Sequence, residues 1–259
     1  MSLDRVFPNP LVKTVVFQII FPSLFFLEKK IGDFQIKIMK QFPTSHLLIQ
    51  RQLLIMVGGQ EDPSKLPNGM KPEETKRVWQ FLSPEGVQLD VTLDSLSLQS
   101  NAHKSYCNGD GPHFRDTIAS VCASFIAITD LPTITRVGLR YIDKGPIPNS
   151  TNETFLSYYN SAFPLFRFPL EKTIEMQCRV AVKRDSHSLR YIETLQIEGD
   201  KKTLILDFDA WSENVDPSQI MVVADSLHQA TSDEFEKTIK QPVIDYMSTT
   251  QEVSDVKRS

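Results

Sequence analysis

The chain lacks the short motifs that most often announce an enzyme. It has no glycine-rich phosphate loop, no G-x-S-x-G elbow, no H-E-x-x-H and no C-x-x-C, which removes the familiar routes to phosphate binding, serine hydrolysis, zinc proteolysis and dithiol redox chemistry. Cysteine is scarce: Cys107, Cys122 and Cys178 are odd in number and lack metal-type spacing. Cys122 and Cys178 each sit within an apolar periodic pattern, so buried free thiols in a reducing cytosol are expected rather than a disulfide framework. An excess of basic charge is missing too. The 28 Lys and Arg residues are scattered among 32 Asp and Glu, for a net charge of −4, and no basic stripe forms, so nucleic acid is not an expected partner. The apolar segment from Thr14 to Leu27 is broken by Gln18 and Pro22 and is too short to span a bilayer. A cytoplasmic protein with no membrane partner is therefore expected.

What is present is hydrophobic alternation. Val15, Phe17, Ile19 and Phe21 share one strand face, and after Pro22 the period changes to the steps of three and four of an amphipathic helix that ends at Pro43. A second apolar strand spans His46 to Val57, a polar turn-rich loop runs from Gly58 to Glu74, and strand character resumes from Lys76 to Leu82. Ser83 to Gly86 reads as a hairpin turn. The next strand has Val87, Leu89, Val91 and Leu93 on one side, then slips phase to Leu96 and Leu98, which predicts a β-bulge or bend near Asp94 and Ser95. A helix follows Pro112, with Phe114, Ile118, Val121, Cys122, Phe125 and Ile128 as its buried stripe, and a strand covers Thr133 to Asp143.

The second part is a meander. A short helical patch around Phe155 to Phe163 precedes strands over Thr173 to Val182, Leu189 to Ile197 and Thr203 to Trp211, and a helical region from about Ser218 to Met247 closes it. Consecutive strands joined by hairpins predict an α+β fold rather than a doubly wound sheet. The order of elements suggests two similar halves, each a mainly antiparallel sheet of three or more strands packed with amphipathic helices. These are residues 1–148 (β-α-β-β-β-α-β) and 149–247 (α-β-β-β-α), followed by a polar tail over 248–259.

The most chemically pointed stretch is Thr133 to Asp143. It sets Arg136 and Arg140 on one strand face with Gly138 between them. Two permanent cations there either clamp a carboxylate or phosphate, or join a charge network across the sheet with Asp90 or Asp94, and the network is preferred. Asp207 and Asp209 also share a strand face. Such a pair can hold Mg²⁺ or divide into acid and base, yet strand carboxylates more often meet arginines, and no third ligand lies nearby in sequence. His103, Cys107 and His113 lack the spacing of a zinc site. No metal or cofactor is therefore expected. His228, near Asp225, is a minor candidate for a general base. Thr231 and Glu234 at capping-box spacing favour a helix that ends near Ala230 and restarts.

The strings FPNPLVKTVVFQIIFP, WQFLSPEGVQLDVTLDSLSLQS, RVGLRYID, LILDFDAW and SLHQATSDEFEKTI, in that order, resemble a sporadically distributed family of uncharacterised bacterial and archaeal proteins. Its members carry an R-x-G-L-R-Y-x-[ND] string, and the resemblance extends over roughly residues 7 to 247. It implies an intact domain and lends no activity. A patchy distribution implies mobile or defence-associated gene neighbourhoods, where small proteins often act by binding a partner. The expected function is thus a non-catalytic module that binds another protein, a second copy of itself included. The alternative is an enzyme or small-molecule sensor for an anionic ligand held by Arg136 and Arg140.

Overall fold

The structure is a computed structural model and describes residues 6–53, 73–103, 105–110, 113–199 and 201–249. Residues 58–72 of the loop expected over 58–74, the end of the second strand over 54–57 and residues 250–259 of the tail lie outside the described residues, while Glu73 and Glu74 are already strand. In chain order the elements are β1 (Val12–Ile20), α1 (Leu27–Ile38), β2 (Thr44–Leu53), β3 (Glu73–Leu82), β4 (Val87–Val91), β5 (Ser95–Ser100), α2 (Phe114–Thr129), β6 (Ile134–Pro146), α3 (Asn152–Tyr158), β7 (Met176–Lys183), β8 (Ser188–Glu198), β9 (Lys201–Val215), α4 (Ile220–Thr238) and α5 (Gln241–Ser248).

All nine strands join one antiparallel sheet in the order β2-β3-β4-β5-β1-β6-β9-β8-β7. The alternation seen in sequence decides its two faces. Val15, Phe17 and Ile19 of β1, Val137 and Leu139 of β6, and Leu206, Phe208 and Ala210 of β9 are buried on one side. The helices cover that side, and the opposite side carries the polar set, as an antiparallel sheet permits. Two apolar cores lie on the covered face. One gathers α1, α2 and α4 over the strands from β4 to β6, around Phe17, Phe34, Phe125 and Leu227. The other gathers α3, α5 and the segment before β1 over β8 and β9, around Phe7, Phe155, Tyr159 and Phe208.

The α+β expectation holds as one large antiparallel sheet with five helices. The halves do not form separate sheets: β6 pairs with β9 over twelve positions, from Ile134↔Val215 to Pro146↔Thr203. The phase slip near Asp94 is also not a bulge. Val91 pairs with Leu96 across a tight reversal in which the Thr92 N–H donates to the Ser95 carbonyl at 2.8 Å. A one-position slip inside an apolar run is thus a second hairpin, and the first part holds one strand more than expected.

The predicted helix restart at Thr231 is likewise absent. The Thr231 hydroxyl donates back to the carbonyls of Leu227 and His228 at 3.1 and 2.9 Å, and α4 runs through to Thr238. The break comes at Ile239 and Lys240, ahead of Pro242 in the first turn of α5. Cys122 is buried as expected, but Cys178 is only half-buried because β7 is the sheet's last strand. No helix among the described residues is long and apolar enough to cross a membrane.

Candidate functional site

Arg136 and Arg140 project from β6 on the open face of the sheet, beside Asp207 and Asp209 of β9. The Arg140 fork closes on Asp207, with Nε to Oδ1 at 2.7 Å and Nη2 to Oδ2 at 2.6 Å. Arg136 Nη2 donates to both oxygens of Asp209 at 3.1 and 3.2 Å, and Arg190 Nη1 from β8 reaches the same carboxylate at 3.2 Å. Both Arg136 and Arg190 also lie about 5 Å from the Trp211 ring, the distance of a cation–π contact.

Gly138 lies beneath the Arg136 side chain. The Arg136 guanidinium lies across it, so that a Cβ built there would meet Nη2 at 3.5 Å and Cζ at 3.6 Å. Those are ordinary van der Waals distances, so the path of Arg136 to Asp209 does not require a glycine.

Asp207 and Asp209, not Asp90 or Asp94, are therefore the partners of the two arginines. Asp90 accepts from Gln80 and Gln88 at 3.1 and 2.7 Å, three strands away. Asp94 sits in the β4–β5 reversal, accepting from Thr92 at 2.6 Å and pairing with Lys76 at 3.0 Å. The Thr92 hydrogen bond and the Lys76 charge hold its carboxyl below the usual range against a partial burial. Of the six charged residues singled out in the sequence, Arg136, Arg140, Asp207 and Asp209 thus come together on β6 and β9, while Asp90 and Asp94 each have other partners. The guanidinium donors that would clamp an anion are engaged by carboxylates.

His228 leads elsewhere, to the covered face. Tyr141 of β6 and Nδ1 of His228 share a hydrogen bond of 3.0 Å, and the Tyr106 ring stacks on the imidazole with centroids 4.2 Å apart and planes at 18°. Tyr106 in turn donates to Asp225 Oδ1 at 3.0 Å, and Arg115 clamps Asp225 through Nε and Nη2, both at 2.8 Å. Burial pushes the Asp225 carboxyl up, but the hydrogen bonds from Arg115 and Tyr106 outweigh it and leave the group below its usual range. One turn of α4 separates Asp225 from His228, so the same helix face presents both.

Of these, Tyr106, Tyr141 and His228 border a cavity of about 140 Å³. It opens where the two cores meet, with Val15 and Phe114 on one side and Phe7, Leu11 and Phe208 on the other. Asp143 of β6 lines it and is 6% exposed. Among the described residues its carboxylate takes part in no hydrogen bond and no ion pair. Burial, with the Asp207 charge adding and Lys13 opposing, pushes it up to about 7. Glu193 of β8 shows the contrasting treatment of a buried carboxylate. It is fully buried and accepts from the Tyr191 hydroxyl, from Ser161 Oγ at 2.9 Å and from the Ala162 N–H at 2.9 Å. Buried carboxylates require such partners; among the described residues no donor bonds to Asp143, and only the Lys13 charge favours its ionised form.

Asp143 was legible in principle. It follows Val137, Leu139 and Tyr141 at every second position, so a carboxylate stands on the apolar face of its strand. Tyr106, Arg115 and Asp225 are brought together from 119 residues apart and left no local signal. Among the described residues no group of three or more His, Cys, Asp or Glu could hold a metal ion. Compared with known proteins, the chain matches no family model and no curated protein.

Proposed function

We propose that the protein is a small-molecule binding module whose site is the cavity between the two cores. The observation that carries this reading is Asp143, a carboxylate 6% exposed, without a hydrogen bond or ion pair among the described residues, and lining an aromatic-rich space. Ligand sites are concave and mostly apolar with few convergent polar groups. Around the central β1–β6 pair, β5-β4-β3 on one side mirror β9-β8-β7 on the other, each set followed by a helix, α2 or α4. This order is in keeping with two related units, the second starting at β6 rather than after residue 148, although β2 has no counterpart in it. The RVGLRYID string is β6 itself, which supplies Tyr141 and Asp143 to the cavity and both arginines to the open face. Its resemblance to the sporadically distributed family is in keeping with a shared binding site.

A thermal-shift screen of small aromatic compounds tests the proposal on the wild-type protein and on Ser232→Trp, which fills the cavity from α4. Compounds that raise Tm in the wild type and not in the variant are expected. Hits that survive Ser232→Trp unchanged place binding elsewhere.

A second reading, a protein partner with a second copy of this chain included, is favoured by the β7 edge. Phe166 is 94% and Ile174 88% exposed, and Phe168, Val180 and Val182 are exposed beside them in sequence. An open edge strand flanked by apolar side chains is a template for pairing. Native mass spectrometry should show a complex that Val182→Lys abolishes; a strict monomer without a co-purifying protein counts against it.

A further inference from the structure

The chemistry of the cavity narrows what it can hold, an inference that rests on the cavity being the site. Among its described lining residues none is Lys or Arg, and the Lys13 charge that acts on Asp143 is outweighed by burial and by Asp207. Most of the hydroxyls are already committed: Tyr106 to Asp225, Tyr141 to His228, and Thr231 to backbone carbonyls. The uncommitted strong group is the Asp143 carboxylate, and an ionised carboxylate only accepts hydrogen bonds. Phe7, Phe114, Phe208, Phe235, Tyr106 and Tyr141 surround it with ring surface, which attracts cations as well as apolar bodies.

We propose that the cavity binds a small aromatic or apolar molecule carrying a cationic nitrogen group, an amine or amidine, with Asp143 as its counter-charge. The volume suits one ring, since an apolar cavity of about 150 Å³ takes up benzene. An amidine presents two parallel N–H donors that match both carboxylate oxygens, and such bidentate charge-assisted pairs are the strong ones. Tyr141 and His228 border the same space and would set the orientation of the ring.

Calorimetric titration at pH 8, with Asp143 ionised, tests this with three probes of similar shape: benzamidine, benzyl alcohol and benzoate. Benzamidine is expected to bind wild-type protein at least about tenfold more tightly than benzyl alcohol, the fold-change of one buried charge-assisted contact. Asp143→Asn, nearly isosteric, should bring the two within about threefold. If benzyl alcohol or benzoate binds as well as benzamidine, the ligand class is overturned while the cavity remains the site. If benzamidine is preferred and Asp143→Asn leaves that preference intact, Asp143 is not the counter-charge and the proposal fails. If none of the three binds the wild type, both the class and the cavity reading fall. The probe series on wild-type protein stands without the variant.

Discussion

Three carboxylates of this protein show how residue environment decides role. Asp207 is held by the Arg140 fork, Glu193 by three donors, and Asp143 by nothing described. For Asp143 the consequence is a pH dependence of stability. Its carboxyl titrates near 7 in the folded protein and near 3.9 in an unfolded chain. Between those values the unfolded chain has released a proton that the folded protein retains. Stability therefore falls as pH rises from about 4 to about 7 and levels off above. Asp143→Asn removes that slope, and urea unfolding at pH 8 should show it more stable than wild type by on the order of 2–4 kcal/mol. An unchanged slope would mean the carboxyl is solvated.

The two arginines make the opposite case. Arg140→Ala strands Asp207, whose side chain is 11% exposed, and should cost about 1–3 kcal/mol. Arg136→Ala leaves Asp209 its bond to Arg190 and should cost less, about 0.5–1 kcal/mol, because no carboxylate is stranded. Equal losses in denaturant unfolding would refute the partner assignment.

Among the elements, β6 carries most of the argument. It is the central strand with β1, its even positions hold the charge lattice, and its odd positions run from Val137 through Asp143 to Gly145 on the covered face. Gly145 is where the strand meets α3. A Cβ there would collide with the phenol of Tyr159, which is fully buried and donates to the Pro146 carbonyl at 2.9 Å. Gly145→Ala should therefore destabilise by about 1–3 kcal/mol through overpacking, read as a lower denaturation midpoint. At Gly138, the glycine that stands out in the sequence, a Cβ would make only ordinary contacts, with the end of Arg136 and the Ala210 carbonyl, and Ala is tolerated.

The same contrast explains what could be read from the chain. Strand faces and the α2 stripe follow from alternation and period, which are local. The hairpin at Thr92 was hidden because the apolar run crosses the turn without a Gly or Asn to mark it. The α4 restart failed because Thr231 satisfies its hydroxyl on the preceding turn, which a capping pattern alone does not reveal.

At the scale of the whole molecule, nine strands form one sheet but the apolar side chains above it gather into two cores, and the cavity is the seam between them. Nothing local specifies that seam. Tyr106 comes to it from the segment before α2, His228 from α4, and Tyr141 and Asp143 from β6. Only the crossing of the sheet by β1 and β6 assembles them. The sequence showed the arginines because charges on a strand are conspicuous. It concealed the cavity because rings and a single carboxylate read as ordinary core. The most direct test is a crystal structure of the protein soaked with benzamidine. The account predicts the ring between Phe114 and Phe208, its amidine nitrogens within about 2.7–3.2 Å of the Asp143 oxygens. Density on the open face beside Asp207 and Asp209, with the seam empty, would contradict it.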